Sequence, residues 1–345
     1  MRSTSKPAVF LAALMATASA HAATLIPVPQ VPGSTATYIS NISDHDVIAG
    51  EYQMPDGSLH AFVGTPGFPY VTFDFDETNY PGTAARGLNG RGNITGTANL
   101  DNATAVSDFV QFERAPNGIL RRIANGGTPA AGLAGGINSR RVFVVENWNA
   151  DGSVSGFFGK KNRTTEQIDL GFPAIRVRPR DVNNSGDVVG YAKIDDATGY
   201  QGFFLHGGAT TLVNYPDERA TQTMLEGINL KGIATGFWED ADFNEFAFVY
   251  DTGAARFRPI TVPGFAQSAA GGVNGDGLVA IQAYSQDLTQ TAPYIYCPKM
   301  PGKCPFGGFE IADPKPVAMA AGFKPRAVPN PAALTPLKAR LQLRQ

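Results

Sequence analysis

Short apolar and aromatic runs alternate with turn-forming clusters along the chain, and the alternation repeats. Six segments share the form aliphatic–Asn–x–x–Gly–x–Val–x–Gly. They are ISDHDVIAG from Ile42, LNGRGNITG from Leu88, INSRRVFVV from Ile137, VNNSGDVVG from Val182, INLKGIATG from Ile228 and VNGDGLVAI from Val273. Their second residues, Ser43, Asn89, Asn138, Asn183, Asn229 and Asn274, stand 46, 49, 45, 46 and 45 residues apart. Near-equal steps kept over 231 residues mark an array of like units.

Each unit has an internal order. After the anchor and its following strand comes an aromatic run: HAFVG at His60, DFVQF at Asp108, GFFGK at Gly156, GFFLH at Gly202, FAFVY at Phe246 and PYIYC at Pro293. A further strand-like run follows in most units, such as YVTFDF, TTLVNY and FRPITV. Between runs lie PDGS, NADGS and DDATG, whose Asp, Asn and Gly accept turn dihedrals. Four short strands in about 46 residues is the size of a propeller blade. The expected fold is all-β, a six-bladed β-propeller with four antiparallel strands per blade.

The anchor turn joins the first two strands of each unit. Its Asn can bond the backbone two residues on, and the Gly three residues later tolerates positive φ. The strand before each anchor is expected to lie innermost, where room is least. Two residues before the anchor stand Asn41, Gly87, Gly136, Asp181, Gly227 and Gly272, mostly Gly, as close backbone approach requires. One residue earlier, Arg86, Arg180 and Glu226 are the candidates for a polar cluster on the axis. They form either a mutually paired network or a ligand-binding site. The N-terminal LIPVPQVPG resembles FRPITVPGF before the sixth anchor, so an early strand is expected to close the ring in the last blade. FEIAD at 309–313 competes for that edge.

Composition agrees with a turn-rich β protein. Gly contributes 39 residues and Pro 25, while 43% of residues are hydrophobic and 17% charged. Such a chain can bury a large core, which excludes wholesale disorder, and the Gly and Pro content disfavours helical bundles. Arg2, Lys6, the apolar run Ala8–Ala18 and Ala20-His21-Ala22 read as a secretory signal over 1–22. The chain is therefore expected to be secreted or periplasmic, with no membrane span. Residues 23–313 would form the propeller and 314–345 a basic, Pro/Ala-rich flexible tail.

Without the signal the chain carries 26 basic and 30 acidic residues. Six of the basic ones follow Asp313, leaving an acidic body that excludes general nucleic-acid binding. Cys297 and Cys304 are expected to form a disulfide across a short loop.

The VNNSGDVVGY unit and the triplet His60-Ala61-Phe62, echoed at Gly202-Phe203-Phe204 and Phe246-Ala247-Phe248, resemble the HAF family of extracellular repeats of secreted bacterial proteins. The resemblance spans roughly residues 36–300. It implies a secreted propeller-like repeat protein and brings no catalytic residue, substrate or cofactor.

The residues themselves nominate no catalytic set, metal site or cofactor. His45, His60 and His206 lack zinc spacing, and NGDG at 274–277 lacks the carboxylates a calcium ion needs. Glu239, Asp240, Asp242 and Glu245 read as a solvated hairpin, and Trp148 and Trp238 as strand aromatics or a carbohydrate-stacking surface. The expected role is a non-catalytic, monomeric binding or structural module. Its partner would be a carbohydrate, a small anionic ligand or another protein. The alternative is a propeller hydrolase, glycosidase or lactonase-like, with its site at one end of the channel.

Overall fold

The structure is a computed structural model, and it describes residues 23–76, 82–99, 109–125, 128–129, 132–298, 304–311 and 316–318. The expected signal segment and, of the expected tail, residues 314–315 and 319–345 lie outside them, while Val317–Ala318 of that tail is a short strand paired antiparallel with Arg256 and Phe257. No helix occurs among the described residues; the chain is all-β.

Each repeat folds into a meander of neighbouring antiparallel strands. The first unit has Ala36–Ile42, Ile48–Gln53, Leu59–Gly64 and Val71–Phe73. The second has Gly82–Leu88, Ile94–Asn99, Phe109–Arg114 and Leu120–Arg122. The third has Ala134–Ile137, Val142–Trp148, Val154–Lys160 and Thr164–Gln167. The fourth has Arg176–Val182, Val188–Lys193, Gln201–His206 and Ala209–Val213. The fifth has Gln222–Ile228, Ile233–Glu239, Glu245–Asp251 and Arg256–Pro259.

The sixth unit supplies three strands of its own, Gln267–Val273, Val279–Tyr284 and Thr291–Cys297. Its fourth place is taken by Ala23–Pro27, which pairs antiparallel with Thr291–Cys297 from Thr24↔Cys297 to Pro27↔Tyr294. Phe309–Ile311 pairs outside that strand as a fifth. The two rivals for the edge therefore both add to this sheet, the N-terminal strand inside the later one. Cys297 and Cys304 are disulfide-bonded, as expected.

The apolar core is divided among the joints between units. Ala49 and Ala61 of the first unit pack with Ala85, Leu88 and Ile94 of the second. Val189 and Val213 of the fourth pack with Leu225 and Phe248 of the fifth. Ala247 of the fifth meets Ala270 and Val279 of the sixth. Leu278 and Ile295 of the sixth meet Ile39 and Ile48 of the first, with Ile26 of the N-terminal strand between them.

The anchor turns do more than reverse the chain. In all five anchors that are Asn, Oδ1 accepts the N–H groups two and four residues on. The Nδ2 amide of the same side chain leaves its unit altogether. It donates to the anchor carbonyl of the next unit: Asn89 to Asn138 at 2.8 Å, Asn138 to Asn183 at 2.9 Å and Asn183 to Asn229 at 3.1 Å. Asn229 donates to Asn274 at 2.9 Å, and Asn274 to Ser43 at 3.2 Å. Ser43 has no amide with which to continue the series toward Asn89.

The residue three after each anchor has positive φ, from 58° at Asp46 and 59° at Arg141 to 92° at Gly186. Asp46 and Arg141 thus hold a conformation that Gly adopts more readily. In Arg141 the side chain is anchored by a 2.6 Å ion pair with Glu113.

Asn229→Ala removes a buried donor and acceptor together and should lower unfolding free energy by about 2–4 kcal/mol. Ser43→Asn supplies the missing donor and should raise it by about 1 kcal/mol. Urea denaturation of both variants, read at constant m, checks the pair of effects.

Candidate functional site

The innermost strand carries a β-bulge in each unit. In four units the register slips across a single residue: Ser40, Arg86, Arg180 and Glu226. A bulge re-aims the side chain of its extra residue. That slip carries the three charged residues picked out by sequence into one central recess. Opposite the bulge the second strand must be bare: a Cβ on Gly236 would lie 1.9 Å from the carbonyl oxygen of Met224. Neighbouring inner strands are also close, since a Cβ on Gly227 would come within 2.8 Å of the Gly272 Cα.

The central recess has a volume of about 100 Å³ and is lined by residues of all six units, Arg86, Arg180 and Glu226 among them. Arg180 Nε donates to Glu226 Oε2 at 2.9 Å, with the two side chains 5% and 14% exposed. Arg86 Nη2 lies 3.8 Å from Glu51 Oε2. Below them Arg178 Nε lies 3.7 Å from Glu146 Oε2, and the Arg178 and Arg180 guanidiniums flank the Tyr191 ring at 6.0 and 5.8 Å. Three arginines therefore face three glutamates, a neutral set.

Burial disfavours charge on Arg180, but Glu226, Tyr191 and Glu146 outweigh it and raise its affinity for the proton. Burial pushes the Glu226 carboxyl up, and Arg180 and Arg86 oppose that push. Glu51, Glu146 and Arg178 escaped the sequence reading. They lie inside strands, and only the pairing of units brings them to Arg86 and Arg180.

At the other end, the six anchor turns line a second recess of about 80 Å³ that includes Asp181. Its Oδ1 accepts the Val182 N–H at 2.8 Å and its Oδ2 the Ile228 N–H at 2.9 Å. Burial outweighs these bonds and pushes the Asp181 carboxyl up to about 6.

Other sequence candidates are not brought together. Trp148 donates Nε1–H to Glu146 at 2.6 Å and packs edge-on against Phe109. Trp238 lies in a separate stack, between Phe246 at 4.3 Å and Tyr215 at 5.3 Å. Asp240 caps its hairpin by accepting from the Asp242 and Asn244 N–H groups, and Glu239 accepts from Gln222. Among the described residues no three His, Cys, Asp or Glu side chains are placed to hold a metal ion.

One chain of groups was not foreseen. Ser58 Oγ lies 2.8 Å from His60 Nε2, and His60 Nδ1 lies 3.0 Å from both Asp74 oxygens. Ser58 Oγ also bonds Asp56 Oδ1 at 2.7 Å. The third unit repeats that last contact between Ser153 and Asp151 at 2.6 Å, with Ser155 in the place of His60. The Asp–Ser contact is thus a hairpin device. A His–Asp contact recurs in the fourth unit, His206 Nδ1 lying 2.7 Å from Asp187 Oδ1, but there the histidine is exposed and no Ser contact to it is seen among the described residues.

No protein-family model matches the chain, and no curated protein matches it. Among solved structures it is similar to AofleA from Arthrobotrys oligospora, at 11% identity and TM-score 0.48, over 86% of this chain and 91% of that one. It is also similar to Aleuria aurantia lectin in complex with α-methyl-L-fucoside, at 9% identity and TM-score 0.44, over 86% and 99%. Streptogramin B lyase is similar at 10% identity and TM-score 0.43, over 79% and 97%. Likenesses this distant do not bear on a ligand.

A pH profile tests the buried carboxylate. Below pH 3.8 Asp181 is protonated folded or unfolded. Between 3.8 and about 6 only the folded chain keeps the proton, so stability falls as pH rises through that window. Above it the penalty is constant, on the order of 3 kcal/mol. Asp181→Asn should remove the fall, so the difference between parent and variant, measured by urea denaturation from pH 4 to about 7, should change across the window and then level off.

Proposed function

We propose that the chain is a secreted six-bladed β-propeller of the HAF-repeat type that binds a small ligand at its axis without turning it over. Four-stranded meanders in sequence order, face-to-face packing between successive units, and contact of the sixth with the first support the ring. The observation that carries the binding reading is the convergence of Arg86, Arg180 and Glu226 from three different units on one recess. Repeat proteins present such rigid, multi-unit surfaces without a moving part.

The charges set the terms of binding. Each arginine already faces a carboxylate, so an anionic group enters by taking the place of Glu226 against Arg180. Glu226→Gln should open that place and raise affinity for acetate or inorganic phosphate by about tenfold, a gain of about 1.4 kcal/mol. Adding Arg180→Met should abolish the gain. Calorimetric titration with both anions checks this, and equal affinities in parent and variants would make the network purely structural.

A hydrolase is the second reading, favoured by the Ser58–His60–Asp74 order of contacts. It would place the site on a hairpin of the first blade rather than at the channel mouth. A fluorophosphonate probe should label the parent and not Ser58→Ala if this reading holds; an unlabelled parent removes it.

A further inference from the structure

Beside the fifth unit lies a third recess, of about 270 Å³, where the linker entering that unit and the linker leaving it converge. It is independent of the central network and larger than either axial recess. Its walls have distinct chemistries. One is aromatic: Trp238 and Phe246 are a cross-strand pair stacked at 4.3 Å. The floor is apolar, formed by Ile260, Val262 and Phe265. The rim carries Arg219, bound through two nitrogens to Asp217 at 3.0 and 2.9 Å, its guanidinium lying over the Trp238 and Phe246 rings at 5.2 and 5.6 Å.

The fourth feature is a buried donor with nothing to donate to. Gln267 lines the recess and is 4% exposed. Its Oε1 accepts the Glu245 N–H, but its Nε2 has no partner in the protein. Comparison between repeats shows how this arises. In the fifth unit the equivalent Gln222 accepts the Tyr200 N–H in the same way, and its Nε2 is satisfied by Glu239 at 2.6 Å. Glu239 is the strand partner of Gln222. The strand partner of Gln267 is Tyr284, which stands where the carboxylate stood. An unmet buried donor is unfavourable by itself, and in this unit the repeat has given up the group that met it.

We infer that this recess is a carbohydrate site that takes a single pyranose ring. A pyranose offers an apolar C–H face and a rim of hydroxyls, which match an aromatic and apolar lining beside a fixed donor and a charged pair. A sugar oxygen accepts from Gln267 Nε2, further hydroxyls meet the Arg219–Asp217 pair, and the C–H face lies on the apolar floor of Ile260, Val262 and Phe265. The volume is just under the range of roughly 300 Å³ and above typical of small-ligand pockets, so it suits one ring rather than an oligosaccharide.

The test uses the full chain and methyl pyranosides of glucose, galactose, mannose and N-acetylglucosamine. Ligand-observed NMR and Trp fluorescence are followed from about 0.1 to about 30 mM, around a millimolar dissociation constant. At least one pyranoside should bind, with affinity lowered about tenfold or more by Gln267→Leu, which keeps the volume and removes the donor. Arg219→Ala, at an exposed side chain, should weaken binding severalfold. The inference is overturned if no pyranoside binds the folded parent, or if one binds equally well to the parent, Gln267→Leu and Arg219→Ala. Because the axial variants do not enter this result, failure here leaves the axial reading standing, and the reverse.

Discussion

Everything in this molecule leans on one side chain used twice. A turn that reverses a strand needs an acceptor for its exposed N–H groups, and successive packed units need a tie between neighbours. Asparagine has an oxygen for the first and an amide for the second. Oδ1 of Asn229 holds its own turn while Nδ2 grips the carbonyl of Asn274. Aspartate would repel that carbonyl, and serine cannot span both places. The anchor is therefore held to Asn by two constraints at once, and only at Ser43 is the second one released.

From this tie the rest follows in order. Neighbouring anchors are drawn together, so the strands leading into them converge and leave little space two residues upstream, where Gly227 meets Gly272 and the side chains of Asn41 and Asp181 each lie against a glycine. The bulge one residue earlier turns Arg86, Arg180 and Glu226 inward. Charges brought that close in a low-dielectric interior must be neutralised: Glu226 meets Arg180 and Glu51 meets Arg86, while Glu146 meets the neighbouring Arg178, each pair spanning two units. Crowding and charge pairing at the centre are two results of the same convergence.

Much of this was legible in the order of residues because repetition exposes constraint. The spacing of anchors gave the units, and the residue three beyond each anchor has positive φ even where Arg141 and Asp46 replace Gly. The offset of the central residues was also readable, although the bulge that aims them was not. What stayed hidden involves partners in different units. No local pattern links Arg178 to Glu146 across 32 positions, or shows that Tyr284 leaves Gln267 without the carboxylate that serves Gln222. The Ser58–His60–Asp74 contacts depend on which strand lies beside Leu59–Gly64, and sequence spacing carries no mark of that.

The strand Ala23–Pro27 also imposes an order of events. It emerges early in synthesis but its partner, Thr291–Cys297, arrives some 270 residues later. The central units can form from contacts within themselves and with the next unit, which are quick to find. The last sheet must wait for both ends of the chain, and closing so long a loop is slow relative to local pairing. Until then the first strand and the Ile39–Ile48 face of the first unit stand open to water and to other chains. Pairing of Ala23–Pro27 with Thr291–Cys297 covers those edges, so the time before that pairing is the interval in which this chain is most exposed to aggregation.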